Sequence, residues 1–323
     1  MSTAAAHAAS RRVAAIDLGT NTVRYLLVEI DPASRRWRVI EEDQRVTRLG
    51  QGLATTGRLG EDPMSRTGAA VSEYAARARR GGAGDVRVVA TSAVREAANG
   101  HAFAATLART AGVEVTVVSG EDEARLTVRG VLAGLPHLTG LVTVFDVGGG
   151  STEFIRWRDG AIAAVASLTL GVVPLAERHP FPGPVAWARY DRLVDEVRER
   201  LGRDLPPGIA ATPCGTLVGT AGTVTSLAAL DLALRTYDAT RVQGHRLTRP
   251  AIDAQLRRLG ALDLPGRAAL PCLEPGRADV LLAGVAIVRA VMDRLGADAL
   301  VVSDWSLREG IVAELADGEG GDA

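Results

Sequence analysis

Two short turns in this sequence share one chemistry. Asp17-Leu18-Gly19-Thr20-Asn21-Thr22 and Asp146-Val147-Gly148-Gly149-Gly150-Ser151-Thr152 each lead with an acid and continue with glycines and hydroxyls. Glycine lets a backbone approach an anion closely and turn its N–H groups toward it. The side chains of Thr20, Asn21, Thr22, Ser151 and Thr152 add donors, and a leading aspartate can hold a hard cation that bridges phosphate oxygens. A duplicated phosphate grip follows, with Gly19, Gly148, Gly149 and Gly150 as the points of backbone approach. Ser119-Gly120-Glu121-Asp122-Glu123 places three carboxylates at the start of a helix. Carboxylates there are favoured by the helix dipole, and one of them, if unpaired and within reach of water, can accept a proton during attack on a phosphoryl group. Arg95 lies where a strand end meets a helix start, a place where its charge opposes the dipole, and is expected to fork phosphate oxygens. A third turn, Gly219-Thr220-Ala221-Gly222-Thr223, follows a strand and opens a helix. It adds Gly222 and Thr223 to the anion side.

Composition removes several other chemistries. The chain has 323 residues, 47% hydrophobic and 23% charged, as expected for a globular protein with room for two domains. All 37 basic residues are arginine, which excludes a Walker-type lysine and a Schiff-base lysine. A net charge of −1 gives no basic field for nucleic acid or a membrane surface. Cys214 and Cys272 stand apart without His or Cys at ligand spacing and read as core thiols. The apolar run 280–288 is too short to span a bilayer, and residues 1–11 read as a frayed cytoplasmic tail without the hydrophobic region of a signal peptide.

The elements that must carry these residues repeat. Apolar runs at 13–16 and 141–145 precede the two acid-led turns and further strands follow, so each turn is expected at a hairpin tip. The first half then reads as a strand at 37–46, a helix at 64–81, a strand at 86–90, one helix over 94–110 and a strand at 114–118. The second half reads as strands from 141, 152 and 161, a helix at 187–201 and a strand at 217–220. Helices at 224–235, 249–260 and 277–295 and a strand at 299–302 follow. A duplicated three-stranded meander with α/β additions predicts an α/β fold of actin-like ATPase (ribonuclease H-like) type, two domains closing over a cleft. The domains expected are residues 12–133, joined by a returning helix at 307–316, and residues 134–306.

Eight segments, 17–22, 90–100, 119–125, 146–153, 219–225, 243–247, 275–279 and 303–310, occur in the order found in the exopolyphosphatase/guanosine pentaphosphate phosphohydrolase (Ppx/GppA) family, which this chain resembles over nearly its whole length. The resemblance implies metal-dependent hydrolysis of terminal phosphoanhydride bonds. It makes Glu123, which directly precedes Ala124-Arg125, the water-activating base. It also puts Asp17, Asp146 and Glu153 on the side of a magnesium or manganese ion. Polyphosphate is the implied substrate, with pentaphosphorylated guanosine as the alternative and a non-catalytic nucleotide switch as a remoter one. Longer members carry a C-terminal HD-type helical region that extends a polyphosphate channel and helps to form a dimer. Its lack here predicts action on short chains and puts long-chain processivity in question, while a homodimer stays among the expected partners.

Overall fold

The structure is a computed structural model that describes residues 10–318. Most of the expected tail, residues 1–9, lies outside the described residues. The first half runs β1 (Arg11–Leu18), β2 (Thr22–Ile30), β3 (Trp37–Val46), α1 (Leu53–Thr56), α2 (Glu61–Arg80), β4 (Asp85–Ala90), α3 (Ser92–Glu96), α4 (Gly100–Ala111), β5 (Glu114–Val117) and α5 (Gly120–Gly134). The second half opens with β6 (Leu141–Val147), β7 (Thr152–Arg158), β8 (Ala161–Leu168), α6 (Val172–Arg178), α7 (Trp187–Asp204), α8 (Pro207–Ala210), β9 (Thr216–Thr220) and α9 (Ala221–Asp231). It closes with α10 (Ala239–Val242), β10 (Arg246–Thr248), α11 (Arg249–Gly260), α12 (Leu264–Ala268), α13 (Leu281–Leu295), β11 (Ala299–Val302) and α14 (Leu307–Asp317).

The two sheets have one plan. The first is ordered β3-β2-β1-β4-β5 and the second β8-β7-β6-β9-β11, with β10 added at the far edge. In each, the opening meander is antiparallel, the next strand pairs parallel with the first strand and a further one parallel with that, while β10 pairs antiparallel with β11. This is the duplicated actin-like arrangement, and both acid-led turns sit at the tips of the β1–β2 and β6–β7 hairpins as expected.

Strand β1 is buried on both faces, and its period of two divides its residues between two cores. Ala14, Ile16 and Leu18 meet α2 and α4 through Val71, Tyr74 and Leu107, whereas Val13 and Ala15 meet α14 through Ile311, Val312 and Leu315. In the second half Phe145 and Phe154 pack on α7, α9 and α13, while Val142, Val144 and Ile155 pack on Ala124, Val128 and Val131 of α5. Helix α5 therefore covers the second sheet although it leaves the first, and α14 covers the first sheet although it leaves the second. The expected domain boundary at residues 133 and 134 falls at the end of α5. The apolar run of 280–288 forms the N-cap and first two turns of α13, buried by protein on all sides, and Arg289, Asp293 and Arg294 follow it in the same helix. Among the described residues no helix is long and apolar enough to cross a membrane.

One helix expected at 94–110 is two. Asn99 breaks it: its side chain accepts from Leu59 N at 2.8 Å and donates to Leu59 O at 3.0 Å, holding the joint to the α1–α2 connection. The break also places Arg95 in the last turn of α3, so its charge suits the helix dipole instead of opposing it.

Helices α5 and α14 cross through two glycines. A Cβ on Gly310 would lie 1.8 Å from Leu126 O, and one on Gly130 2.0 Å from Ser306 O. Alanine normally stabilises a helix interior over glycine by about 1 kcal/mol. Here the sign should reverse: Gly310→Ala is expected to lower stability by roughly 1–3 kcal/mol through overpacking. Thermal unfolding checks this, and a raised Tm would show that the crossing is looser than described.

Candidate active site

Each hairpin turn closes on itself in the same way, Gly19 N donating to Thr22 O at 3.1 Å and Gly148 N to Ser151 O at 3.0 Å. Each is also held from behind by the segment that follows the third strand of its sheet. Gly50 N donates to Thr20 O at 2.8 Å, and Thr47 N and Arg48 N donate to Asn21 O at 3.0 and 2.9 Å. In the second half Val172 N donates to Gly148 O at 3.1 Å and Val173 N to Gly149 O at 2.9 Å. A trans peptide points its C=O and N–H in opposite directions, so pinning these carbonyls at the rear turns the Asn21, Gly149 and Gly150 amides toward the cleft. The rear segments come close enough to require glycine: a Cβ on Gly50 would be 2.3 Å from Thr20 Cγ2, and one on Gly171 2.3 Å from Gly149 O.

Asp17 and Asp146 end the leading strands at the cleft floor, and their cross-strand partners differ. Asp17 stands opposite Arg24, but Asp146 stands opposite Glu153, a like-charge pair that is unfavourable without a cation. Burial pushes the Asp17 carboxyl up to about 7 and that of Asp146 to about 6, with Arg24 opposing both shifts. Burial, then the charge of Asp146, raises Glu153 to about 7, and Ser167 Oγ donates to its Oε1 at 2.8 Å. No group of three or more acidic, histidine or cysteine side chains able to hold a metal occurs among the described residues. Two recessed carboxylates fit a hard cation that completes its shell with water and substrate phosphate, as magnesium commonly does, better than a protein-only cage.

The three carboxylates at the start of α5 separate clearly. Asp122 belongs to the cap: its amide donates to Ser119 Oγ at 3.1 Å, and that hydroxyl donates to its carboxylate at 2.7 Å. Glu121 is solvent-exposed. Glu123 is only 9% exposed and lines the cleft. Burial first, then the charge of Glu153, raises its carboxyl well above the usual range, against the pull of Arg95. Arg95 Nη1 donates to Glu123 Oε2 at 2.9 Å and to Val118 O at 3.0 Å.

The cleft brings together Asp17, Gly19, Thr20, Asn21, Thr22, Glu123, Asp146, Gly148, Gly149, Gly150, Ser151, Gly222 and Thr223. Three of the anticipated residues do not line it. Arg95 is occupied with Glu123, Glu153 stands beside Asp146 across the hairpin, fully buried, and Thr152 is fully buried with its hydroxyl donating to Leu170 O at 2.5 Å. Thr152 thus anchors the rear segment. Sequence reading overlooked Arg24, whose Nη1 donates to Ser306 Oγ at 2.8 Å, and Arg277, whose guanidinium lies over Gly222 where a Cβ would be 1.9 Å from Nη1. Arg24 could have been found as the register partner of Asp17 in a tight hairpin; Arg277 lies in the segment 275–279 that helps to carry the resemblance, but it enters the cleft from a loop and nothing local gave it a role.

Residues 27–319 match the model of the Ppx/GppA phosphatase family. "Exopolyphosphatase 2" of Mycobacterium tuberculosis is 34% identical over 319 residues, covering 94% of this chain and 98% of the relative. The chain belongs to the Ppx/GppA phosphatase family. Another relative, the "Guanosine-5'-triphosphate,3'-diphosphate pyrophosphatase" of Photobacterium profundum, is 31% identical over 94% of this chain, but the match spans only 59% of that longer protein. The crystal structure of the Aquifex aeolicus Ppx/GppA family member superposes with a TM-score of 0.81 at 32% identity, over 97% of this chain and 100% of that one.

Within this Ppx/GppA cleft Thr152 is testable. Thr152→Val keeps the shape but leaves Leu170 O unpaired, and should cost about 1–3 kcal/mol of stability while changing phosphate affinity little. Denaturant unfolding with phosphate-binding calorimetry reads both quantities; weakened binding at unchanged stability would return Thr152 to the anion grip.

Proposed function

We propose that this protein hydrolyses the terminal phosphoanhydride bond of short inorganic polyphosphate and releases orthophosphate. One observation carries the reading: a buried carboxylate, Glu123, lines the same narrow cleft as two backbone anion grips. A water beside Glu123 gives up a proton to its carboxylate as the water oxygen bonds to the terminal phosphorus. The bond to the bridging oxygen breaks, and its electron pair stays with the shortened chain. The Asn21, Gly149 and Gly150 amides and Arg24 hold the phosphoryl oxygens, so catalysis rests on position and on charge stabilisation. Magnesium or manganese, held by Asp17 and Asp146 with Glu153 beside Asp146, would neutralise charge on the phosphate oxygens.

The short-chain assignment draws on what lies beyond the grip. A chamber of about 450 Å³ opens past Arg24 and Arg277, and the carboxylates of Glu42, Asp43, Glu274 and Asp304 line it. Toward the other side, Arg48 is paired with Asp279 at 2.8 Å. Among the described residues a long polyanion meets no row of free arginines in either direction. The same chamber supports a second reading, the 5′-phosphohydrolysis of pentaphosphorylated guanosine, because Tyr237 and Leu273 offer apolar surface beside acceptors that suit the N–H donors of a base.

Phosphate release from tripolyphosphate with magnesium is the direct test. Glu123→Gln should lower kcat by roughly 10²–10⁴ with binding retained, and excess chelator should stop the wild-type reaction. Near-normal turnover by that variant, or full activity in chelator, would remove the base or the metal from the scheme. Chain length is checked separately: kcat/KM should plateau by chains of about ten phosphates, since screening over a Debye length of about 8 Å leaves distant charges without effect. A steep, salt-resistant preference for chains of several hundred would overturn the short-chain assignment, and a higher kcat/KM for pentaphosphorylated guanosine would favour the second reading.

A further inference from the structure

Arg95 fits no phosphate role where it stands, yet it is tightly built in. Its amide and that of Val94 donate to Thr91 O at 3.0 and 3.1 Å, fixing α3 to the end of β4. Val118 N donates to Ala90 O at 3.1 Å, fixing the exit of β5 to the same strand end, and Glu123 N donates to Ser119 O at 2.9 Å. Into this frame a single guanidinium nitrogen bonds both Val118 O and Glu123 Oε2. Glu123 lines the cleft and Arg95 does not, so the arginine reaches the carboxylate from the side away from substrate. Among the described residues Oε1 of Glu123 is left without a hydrogen bond.

Resting on the reading of Glu123 as the base, we infer that Arg95 is a positioning residue, which clamps Oε2 of Glu123 from behind so that Oε1 alone is presented to the attacking water. A buried carboxylate near Glu153 and Asp17 has every electrostatic reason to take up a proton or to turn away, and the clamp opposes both. An arginine suits the task because the two N–H groups of Nη1 diverge at a fixed angle in the guanidinium plane, so that the one nitrogen can serve the backbone carbonyl and the carboxylate together, whereas the ammonium of lysine rotates freely on its stem. The start of α5 is itself held close to β8: a Cβ on Gly120 would lie 2.5 Å from Ser167 Cβ.

The experiment combines Arg95→Ala and Arg95→Lys with Glu123→Gln and measures phosphate release from tripolyphosphate and tripolyphosphate binding by calorimetry. Arg95→Ala alone should lower kcat at least about tenfold with KM changed by less than about threefold, and Arg95→Lys should fall between. In the Glu123→Gln background Arg95→Ala should add less than about a twofold further loss, because an effect carried through Glu123 cannot be lost twice. Guanidinium at low millimolar concentration should restore part of the Arg95→Ala rate and none of the Glu123→Gln rate; this readout stays informative if the alanine variant is partly destabilised. Additive losses, or weakened tripolyphosphate binding in the Glu123→Gln background, would overturn the positioning role and leave the proposed hydrolysis standing. Full activity of Glu123→Gln would overturn both.

Discussion

The orientation of a few peptide groups is the constraint on which the rest of this site depends. Thr20, Asn21, Gly148 and Gly149 have carbonyls that are bonded at the rear, and the amides that follow are thereby committed to the opposite direction. The device exists twice because each meander returns the chain behind its own first hairpin, along residues 47–50 after β3 and 170–173 after β8. Glycines 50 and 171 are the points of nearest approach. A Cβ at either would push the rear segment off the turn and free the carbonyls to rotate. The third strand of each sheet thus serves the chemistry as a spacer that delivers donors to the back of a turn.

The duplicated frame then diverges in charge. At matching positions across the hairpin the first half sets Arg24 against Asp17, while the second sets Glu153 against Asp146. One side of the cleft is close to neutral at its floor and the other carries stacked negative charge. Burial makes this costly, as the raised affinities of Asp17, Asp146, Glu153 and Glu123 for protons show. Such a concentration of carboxylates is understandable where a cation and a polyanion meet in the reaction, because each then offsets part of what the other meets on entry.

Much of this was legible in the chain. The acid-led turns announce themselves by residue type, and alternation of apolar residues placed the meanders and the parallel strands within a residue or two. The split between α3 and α4 was hidden because no proline or acid-rich cap marks it; a tertiary bond from Asn99 to Leu59 makes the break. Residue type alone did not choose among three adjacent acids; the resemblance singled out Glu123, and the angle around α5 is what separates a cap, a solvated side chain and a cleft residue. Arg95 was noticed for a dipole mismatch that the true helix limits remove, and its partner lies on another element. The short α6 and β10 carry too few residues for periodicity to speak; the return of α14 to the first sheet was expected from the fold type, but nothing in a local window reports that α5 covers the second sheet.

That exchange has a bearing on how the protein is made. As the chain leaves the ribosome the first sheet is complete once β5 has emerged, yet one of its faces, with Val13, Ala15, Leu26 and Val28, has no cover until α14 is synthesised after the entire second half. Helix α5 meanwhile waits for β6, β7 and β9. The first half therefore lacks most of the apolar cover of that face until α14 has followed the entire second half, and the two crossing helices then meet at Gly130 and Gly310.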